Sequence, residues 1–529
     1  MKILNSFYMK IGVKSLIVLS IVFAYAMLSF YWGNHDWVYL KNKISLTEGF
    51  FEARYSMHLF NVLFLEGHIL PVLIFLFLEI GFVALGIFSG IYLGIEKDTK
   101  KFLLFLLLIG VFPYNLIVSY YLFIAVPLIW WAVFGVLLLF LAEKQFTIRR
   151  FVLGGLGFGV LLGSYPPNIA FVFVLFMVRQ IVEYVFKNSE IKIIVKKCVY
   201  VGGQFVIGCI LFKLLNFMVS DIKNTLYNTR IYSVYDIFNN IPKELFNSFA
   251  NLFLFKSELG VGCTVFLITL VITFFIWVLF YAKSKLFALV LIILMFIASR
   301  FMFILSPSSY VAHFRGGYWG ILGIVISILG FLNLEKSRWF RNLLYVFEVI
   351  FLVIFVQIDF EAQKTMKLLF ESEIKFNERV KSRIEKHEKY DVNNTYLSLS
   401  FGEKKYVNHF CVSGCEGYKN EILSSVAMNM DLIPLLFFDD NNYKIHTKLG
   451  VWDNNVWTVD DKKFLRKKTS IVSRKNSDIE DVYSWLYLEG KPWPDENSLY
   501  IDDNLMLLML DNSNIYLYGN LFLLYLKNE

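Results

Sequence analysis

Long apolar runs, separated by short polar segments, dominate the first two thirds of the chain. An α-helix needs roughly 17–25 mostly apolar residues to cross the hydrocarbon core of a bilayer, and about eleven runs approach or reach that length. These runs are 15–32, 68–94, 102–118, 121–141, 151–163, 168–186, 198–219, 259–281, 286–305, 316–334 and 343–359. The pattern therefore predicts a multi-span α-helical membrane protein. The short run at 151–163 is rich in glycine, which predicts close packing against another helix.

The pattern changes after residue 360. A charged segment at 361–390 predicts a helix, and the residues beyond it alternate short apolar runs with polar turns. The runs that predict strands are 396–401, 432–438, 498–501 and 515–518. We therefore expect two domains: a transmembrane domain at 1–360 and a soluble, mixed α/β C-terminal domain at 361–529.

The positions of the lysines and arginines predict the orientation. Lys2, Lys10 and Lys14 precede the first apolar run, and further basic clusters fall on every second loop. These clusters are Lys97/Lys100/Lys101, Lys144/Arg149/Arg150, Lys187/Lys192/Lys196/Lys197, Lys283/Lys285 and Lys336/Arg338/Arg341. Because basic residues concentrate in cytoplasmic loops, we expect a cytoplasmic N-terminus. With an odd number of spans, the C-terminal domain is then extracytoplasmic.

Composition agrees with the membrane assignment. Hydrophobic residues make up 57% of the chain and its mean hydropathy is +0.57, above the roughly 45–50% apolar content of soluble domains. The net charge of +8 is accounted for by the loop clusters, so we expect no nucleic-acid partner. In the tail, Cys411 and Cys415 predict a small disulfide loop, with a redox or metal pair as the alternative.

The polar loop after the first apolar run offers the best candidate chemistry. Asp36 follows that run directly and is flanked by His35 and Trp37. A carboxylate just above the hydrocarbon boundary can act as general base for a sugar hydroxyl. The alternative is an interfacial cap, in which Trp37 anchors the helix end and Asp36 is solvated.

A resemblance to a known family begins at these residues. An apolar helix, Asp36-Trp37, a polar stretch and then Glu-Ala-Arg-Tyr-Ser before the next apolar run resemble the start of the GtrII-type glucosyltransferases. Two later stretches are similar to that family in part: Gly-Ser-Tyr-Pro-Pro-Asn at 163–168 and Ala-His-Phe-Arg at 312–315. The chain departs from the family where His35 replaces a second acid, Ala53 a glycine and Pro166 a glutamine.

The resemblance covers roughly residues 15–360 and implies a GT-C-like enzyme of the bacterial inner membrane. With the orientation given above, the C-terminal domain of such an enzyme is periplasmic. Such an enzyme moves a hexose, typically glucose, from a polyprenyl-phosphate sugar to a surface glycan such as the O-antigen of lipopolysaccharide. The partners implied are the lipid-linked sugar, a polysaccharide acceptor, membrane lipids, a flippase and a polyprenyl-phosphate glycosyltransferase of the same pathway. Neither a cofactor nor a metal is expected.

Residues in the outer loops suit this chemistry. Arg54 and Arg315 can bind the departing phosphate, and Glu52 can serve as a second acid or orient Arg54, unless it forms only a surface ion pair. His35 and His313 are candidates for the same cavity, with plain solvation as the alternative.

Two further candidates lie at the ends of predicted spans. Tyr165 can offer a sugar-stacking face, although packing would explain it equally well. Arg300 can contact the lipid phosphate, with snorkelling or a structural ion pair as the alternative. Glu79 and Lys213 also fall within predicted spans, and Glu79 could pair with Lys213 or Arg300 or be protonated.

Two rival functions remain open at this point. An O-antigen ligase or polymerase would also use external arginine and histidine residues on a scaffold of many helices. A non-enzymatic transporter or flippase for lipid-linked sugars would be expected to show internal repeats, which the sequence does not display.

Overall fold

A computed structural model of the chain describes most of residues 6–385 and part of the tail. The described ranges are 6–29, 55–68, 71–95, 97–112, 115, 122–144, 146–165, 167–220, 238–248, 260–305, 312–332, 338–385, 395–401, 444–445, 451–453, 456–459, 462–472, 479–487, 498–500 and 520–526. The chain divides into two compact units, Met1–Lys364 and Thr365–Glu529.

The first unit is built of helices. In chain order the described helices are α1 (Ser6–Val22), α2 (Ala24–Ser29), α3 (Tyr55–Leu65), α4 (Pro71–Leu93), α5 (Thr99–Gly110), α6 (Leu122–Lys144), α7 (Ile148–Leu162), α8 (Pro167–Val185), α9 (Ile191–Ser220), α10 (238–248), α11 (Gly260–Tyr281), α12 (Lys285–Ser299), α13 (Phe301–Leu305), α14 (Ala312–Leu332) and α15 (Arg338–Glu385). The last of these continues past the boundary into the second unit.

Among the described residues, five helical segments are long and apolar enough to cross a membrane: Val72–Leu93, Ile124–Glu143, Asn168–Val185, Ile191–Leu215 and Arg341–Glu361. Each overlaps a run predicted from the sequence. Four shorter apolar helical segments lie at Tyr55–Leu65, Leu267–Tyr281, Lys285–Ser299 and Gly320–Phe331. The chain is therefore a helical membrane protein by length and composition, and the count of eleven spans stays a prediction.

The described loops around residues 97–101, 146–150, 187–197 and 283–285, which carry basic clusters, lie at one end of the helices, which we call the basic end. Lys97 places its ammonium 5.7 Å from the ring centre of Tyr8, near the start of α1. The hydroxyl of Tyr200 donates to the carbonyl of Thr147 over 2.7 Å, joining the loop before α7 to the start of α9. The hydroxyl of Tyr184 accepts from the backbone N–H of Ser284 over 2.8 Å, which adds the loop before α12.

Capping residues fix two of the loops at the basic end. Helix α4 ends at Gly94, whose φ of +80° favours glycine, and the N–H of Ile95 bonds the carbonyl of Gly90 over 2.9 Å. Thr147 caps α7, because its hydroxyl accepts from the N–H of Arg150. Short capped loops keep neighbouring helices antiparallel, so the alternate loops lie at the opposite end.

The glycines of α7 pack against α9, as the sequence predicted. A Cβ on Gly208 would lie 2.8 Å from the backbone nitrogen of Gly159, closer than real Cβ contacts occur. A Cβ on Gly154 would lie 2.4 Å from the side chain of Gln204. The absence of side chains at these positions lets the two helices approach closely, and the prediction of close packing is confirmed.

The described residues of the second unit after α15 form strands. They are β1 (Thr395–Phe401), β2 (Lys444–Ile445), β3 (Val451–Asp453), β4 (Val456–Val459), β5 (Lys462–Val472), β6 (Ile479–Tyr487), β7 (Ser498–Tyr500) and β8 (Asn520–Leu526). They make two four-stranded sheets, in the orders β2-β1-β8-β7 and β3-β4-β5-β6. Only the β1–β2 pair is parallel among these strands.

Strands β1 and β7 lie where the sequence pattern predicted strands, at 396–401 and 498–501. The other two predicted strands, and both Cys411 and Cys415, fall outside the described residues. The mixed α/β domain and the disulfide loop therefore stay predictions.

Candidate functional site

Most of the predicted catalytic loop lies outside the described residues. This holds for His35, Asp36, Trp37, Glu52 and Arg54. The description resumes at Tyr55, the residue directly after Arg54. The surroundings of Tyr55 therefore locate the point at which the predicted loop rejoins the helices.

The start of α3 is bound to the end of α7 by a set of hydrogen bonds. The hydroxyl of Tyr55 donates to the carbonyl of Gly159 over 3.0 Å, and the hydroxyl of Ser56 donates to the carbonyl of Val160 over 2.7 Å. The backbone N–H of Ser56 donates to the carbonyl of Gly163 over 2.9 Å. Trp131 of α6 completes the set by donating from Nε1 to the carbonyl of Ser56 over 3.1 Å.

This arrangement brings two of the family-like stretches together. The segment ending in Arg54-Tyr55-Ser56 and the turn beginning at Gly163 are more than a hundred residues apart in sequence, yet they share backbone contacts. The ring of Tyr55 covers Gly163 so closely that a Cβ there would lie 2.2 Å from it. Glycine is therefore required sterically at this position.

Tyr165 belongs to the same turn and is buried. Its side chain is 9% exposed, and its carbonyl accepts from the backbone N–H of Asn168 over 2.9 Å. A buried ring fits the packing alternative better than an open sugar-stacking face. Asn168 donates from Nδ2 to the carbonyl of Leu128 over 2.9 Å, which fixes the start of α8 to α6.

Arg300 forms a buried ion pair with Glu244 of α10. Both side chains are nearly inaccessible, at 4% and 3% exposure, and Nε and Nη2 of Arg300 lie 2.9 and 2.8 Å from Oε2 of Glu244. The other carboxylate oxygen of Glu244 accepts from Nδ2 of Asn247 over 3.1 Å. The guanidinium carbon also lies 3.8 Å from the ring centre of Phe303. This is the structural ion pair that the sequence left open as one alternative for Arg300.

The ion pair lies at the break between α12 and α13. Arg300 follows the last residue of α12, and its carbonyl accepts from the N–H groups of Phe303 and Ile304 at the start of α13. Phe301 packs against Phe173 of α8, with 5.7 Å between ring centres. Phe173 lies six residues after Pro167, about 9 Å along the axis of α8. Arg300 is therefore in the half of the bundle that also contains the Gly163 turn.

The pairing suggested for Glu79 is wrong. Glu79 is buried in α4 and accepts a hydrogen bond from the hydroxyl of Ser20 in α1. Arg300 is paired with Glu244, and Lys213 is exposed on α9. A hydroxyl partner on the neighbouring helix thus replaces the basic partner expected from the sequence.

His313 and Arg315 are described by their backbone alone. Both belong to the first turn of α14, and the helix passes Ser299 at Gly320, where a Cβ would lie 2.1 Å from the Ser299 carbonyl oxygen. The helix then reaches Leu93 at Gly330, near the basic end. The backbone of His313 and Arg315 therefore lies at the opposite end, beyond Ser299 and Arg300.

Sequence reasoning missed several buried polar residues. Glu244 was not considered, and Asn168 was named only as the last residue of the family-like stretch at 163–168. Asp359 of α15 was not considered, although it is fully buried and neither carboxylate oxygen has a hydrogen-bond partner among the described residues. A single acidic residue at the end of an apolar run was the available signal for Asp359. One turn later, Gln363 donates to the carbonyl of Val22 over 3.0 Å.

A second polar cluster lies at the basic end and joins four helices. Glu143 of α6 accepts from the hydroxyl of Tyr92 of α4 and, over 2.8 Å, from Nε2 of Gln180 of α8. Lys197 of α9 pairs with Glu183 of α8 and lies 3.9 Å from Glu143. The cluster balances its carboxylates with cations, as a structural network does.

Two more cations flank this cluster. Arg179 lies 3.2 Å from Glu183, one turn along α8. Burial lowers the pKa of Lys187 in the following loop, and the nearby Arg179 lowers it further, while Glu183 acts in the opposite direction. The cationic groups at this end therefore compete for a small number of carboxylates.

No group of three or more histidine, cysteine, aspartate or glutamate residues able to hold a metal occurs in the part of the chain that the structure describes. No protein-family model, no curated protein and no solved structure matches the chain. The structure thus defines the class, a helical membrane protein with buried polar residues at both ends of its helices. What the chain does must be inferred from those residues.

Proposed function

We propose that the chain is a membrane glycosyltransferase of the GT-C class. It moves a hexose from a polyprenyl-phosphate sugar to an extracytoplasmic glycan, with inversion at the anomeric carbon. Asp36 removes the proton of the acceptor hydroxyl, and the lipid phosphate leaves with the electrons of the broken glycosidic bond. No nucleotide, cofactor or metal takes part in this reaction.

One observation supports the proposal most strongly: the start of α3 is held against the Gly163 turn. Two stretches with family-like sequence meet there, and the chain positions next to Arg54 and Tyr165 share the hydrogen bonds of Tyr55 and Ser56. The backbone of His313 and Arg315 starts from the same end. A site assembled from three separate loops is what a reaction between two large substrates requires.

The roles of the cations follow from the charge of the leaving group. Arg54 and Arg315 bind the phosphate as it departs, because charge-assisted contacts from guanidinium groups stabilise developing negative charge. Arg300 uses Nε and Nη2 for Glu244, so in this scheme it offers its remaining N–H groups to the phosphate. Glu52 orients Arg54 or replaces the second acid of the family, and His35, Trp37 and His313 line the sugar site.

The proposal also predicts on which side of the membrane each end of the helices lies. About eleven spans, the number that the apolar runs allow, place the basic end in the cytoplasm and the α3 end outside. The grouping of the basic loops at one end supports this orientation. The C-terminal domain is then a periplasmic mixed α/β module of a bacterial inner-membrane protein, and it selects the acceptor glycan.

An in vitro assay separates this function from its rivals. The purified chain in proteoliposomes receives polyprenyl-phosphate glucose and an O-antigen acceptor, and both labelled glycan and free polyprenyl phosphate are measured. Equal formation of the two supports the proposal. Joining of preformed glycan chains instead would indicate a ligase or polymerase, and movement of the lipid-linked sugar across the bilayer without transfer would indicate a flippase.

A further inference from the structure

A cavity of about 400 Å³ opens between the end of α6 and the start of α7, at the basic end of the helices. It is separate from the proposed transfer site, which lies at the other end of α7. Its wall is formed by leucines from both helices together with Thr147, Arg149 and Arg150. The cavity therefore combines an apolar lining with two cations.

Two of the leucines that line the cavity are exposed. Leu141 of α6 and Leu153 of α7 are 60% and 54% exposed, while Leu138 is buried beneath them. Leu141 and Leu153 both lie in segments predicted to be surrounded by lipid. Exposed leucines at that position are expected to contact acyl chains.

The cavity wall also contains two cations, Arg149 and Arg150. Among the described residues, neither Arg149 nor Arg150 lies within ion-pair distance of an acidic group. Arg149 is exposed, but Nη1 of Arg150 is buried and has no hydrogen-bond partner in the described part of the chain. A buried guanidinium nitrogen without an acceptor is unfavourable, and Arg150 lines the cavity, so a rotation of its guanidinium toward a bound anion would supply the missing acceptor.

The first turn of α7 adds to the positive potential. The hydroxyl of Thr147 accepts from the N–H of Arg150, and the first N–H groups of a helix carry partial positive charge. Simple snorkelling would place an arginine head in the headgroup layer. It does not account for a guanidinium nitrogen buried in the wall of a cavity.

We infer that this cavity binds the phosphate headgroup of an anionic phospholipid. Arg149 and Arg150 hold the phosphate, and the acyl chains lie along Leu141 and Leu153. Basic pockets between helices at the cytoplasmic surface suit such headgroups, because they combine charge with an apolar exit for the chains. A soluble phosphate ester shares the headgroup chemistry but lacks the contacts with the leucines.

The test uses the purified full-length chain in neutral detergent. Its thermal unfolding is followed while phosphatidylglycerol, phosphatidylcholine or glycerol phosphate is added. A ligand that binds only the folded state stabilises it by RT ln(1 + [L]/Kd), so Tm rises with ligand concentration and rises more for a tighter ligand. We expect phosphatidylglycerol to raise Tm, and the other two to have no effect at the same concentration.

Two variants test the site itself. R149Q/R150Q removes both cations and is expected to weaken phosphatidylglycerol binding at least about tenfold, because two charge-assisted contacts are lost. Leu141→Trp keeps both charges and fills the mouth of the cavity, so it is expected to weaken binding as well. K283Q/K285Q removes the same charge from another loop of the basic end and is expected to bind like the wild-type chain.

Several results would overturn the inference. If R149Q/R150Q and K283Q/K285Q reduce binding equally, the basic end attracts anionic lipid without a defined site. If glycerol phosphate acts as strongly as phosphatidylglycerol, the ligand is a phosphate group alone. If the double variant fails to fold, the site is tested with Leu141→Trp and with the single variant Arg149→Gln, which alters an exposed side chain. Unchanged binding of phosphatidylglycerol in both variants would refute the site.

Discussion

Nε and Nη2 of Arg300 both lie within 2.9 Å of Oε2 of Glu244, and this pair joins the break between α12 and α13 to α10. The two residues are 56 positions apart in sequence. Because both side chains are almost completely buried, each charge depends on the other for compensation. The pair therefore sets the position of Arg300 in the half of the bundle that we assign to the lipid phosphate.

Removing one charge of this pair is predicted to destabilise the protein more than removing both charges. Arg300→Met leaves Glu244 as a buried, uncompensated charge, and we expect the free energy of unfolding to fall by about 3–5 kcal/mol. The double variant R300M/E244L removes both charges and is expected to recover most of that loss. Unfolding in detergent measures both effects as a double-mutant cycle.

The same double variant separates structure from function at Arg300. Under the proposed mechanism it regains stability but transfers hexose more slowly, because a phosphate contact is missing. A stable double variant with the wild-type transfer rate would limit Arg300 to its structural role.

The contact between Tyr55 and Gly163 is predicted to leave no room for a side chain at position 163. Gly163→Ala places a Cβ 2.2 Å from the Tyr55 ring, so the ring must move and its hydrogen bond to Gly159 is strained or lost. We expect a loss of stability of about 1–3 kcal/mol, as for other overpacked positions. Thermal unfolding measures it.

Two further variants control for this effect. Gly202→Ala adds the same methyl group where nothing lies within 4 Å, and it is expected to be neutral or to stabilise the helix by up to about 1 kcal/mol. Y55A/G163A removes the clash, so it should unfold no more easily than Tyr55→Ala alone. Additive losses in that double variant would argue against the steric explanation.

Substitution of two adjacent lysines of α9 by methionine is predicted to lower the free energy of unfolding by very different amounts. Lys197 is bonded to Glu183 and lies 3.9 Å from Glu143. Lys197→Met therefore leaves the carboxylate of Glu143 without a cation within 4 Å among the described residues, whereas Glu183 keeps Arg179. We expect a loss of about 3 kcal/mol in the free energy of unfolding. Lys196 lies 4.6 Å from the ring centre of Phe146 at a more accessible position, and Lys196→Met is expected to cost less than about 1 kcal/mol. Similar unfolding midpoints for the two variants would contradict the structural role of the cluster.

Features set by hydrophobicity and charge could be predicted from the sequence. Long apolar runs such as 68–94 and 121–141 became helices α4 and α6, because burial of apolar side chains determines both span and helix. The basic clusters around Lys97 and Lys197 were predicted to share one side, and the loops that contain them do lie at one end. Close packing at Gly159 also followed from the local pattern.

The partners of buried polar residues could not be predicted in this way. Arg300 is paired with Glu244 and Glu79 with Ser20 because the fold brings those side chains together, and no local pattern carries that information. Asp359 was missed for the same reason. The order of the motifs placed Arg54 and Gly163 in separate outer loops. The contact of Tyr55 and Ser56 with Gly163 depends on how α3 packs against α6 and α7.

The central claim is that Asp36 acts as the base in hexose transfer, and one measurement tests it most directly. Transfer of labelled hexose from polyprenyl-phosphate hexose is compared for the wild-type chain, Asp36→Asn and Glu190→Gln, which neutralises an exposed carboxylate at the basic end. We predict transfer by the wild-type chain and Glu190→Gln, and a rate about 10²–10⁴-fold lower for Asp36→Asn with an unchanged unfolding midpoint. A folded Asp36→Asn variant that transfers hexose at the wild-type rate would contradict the account.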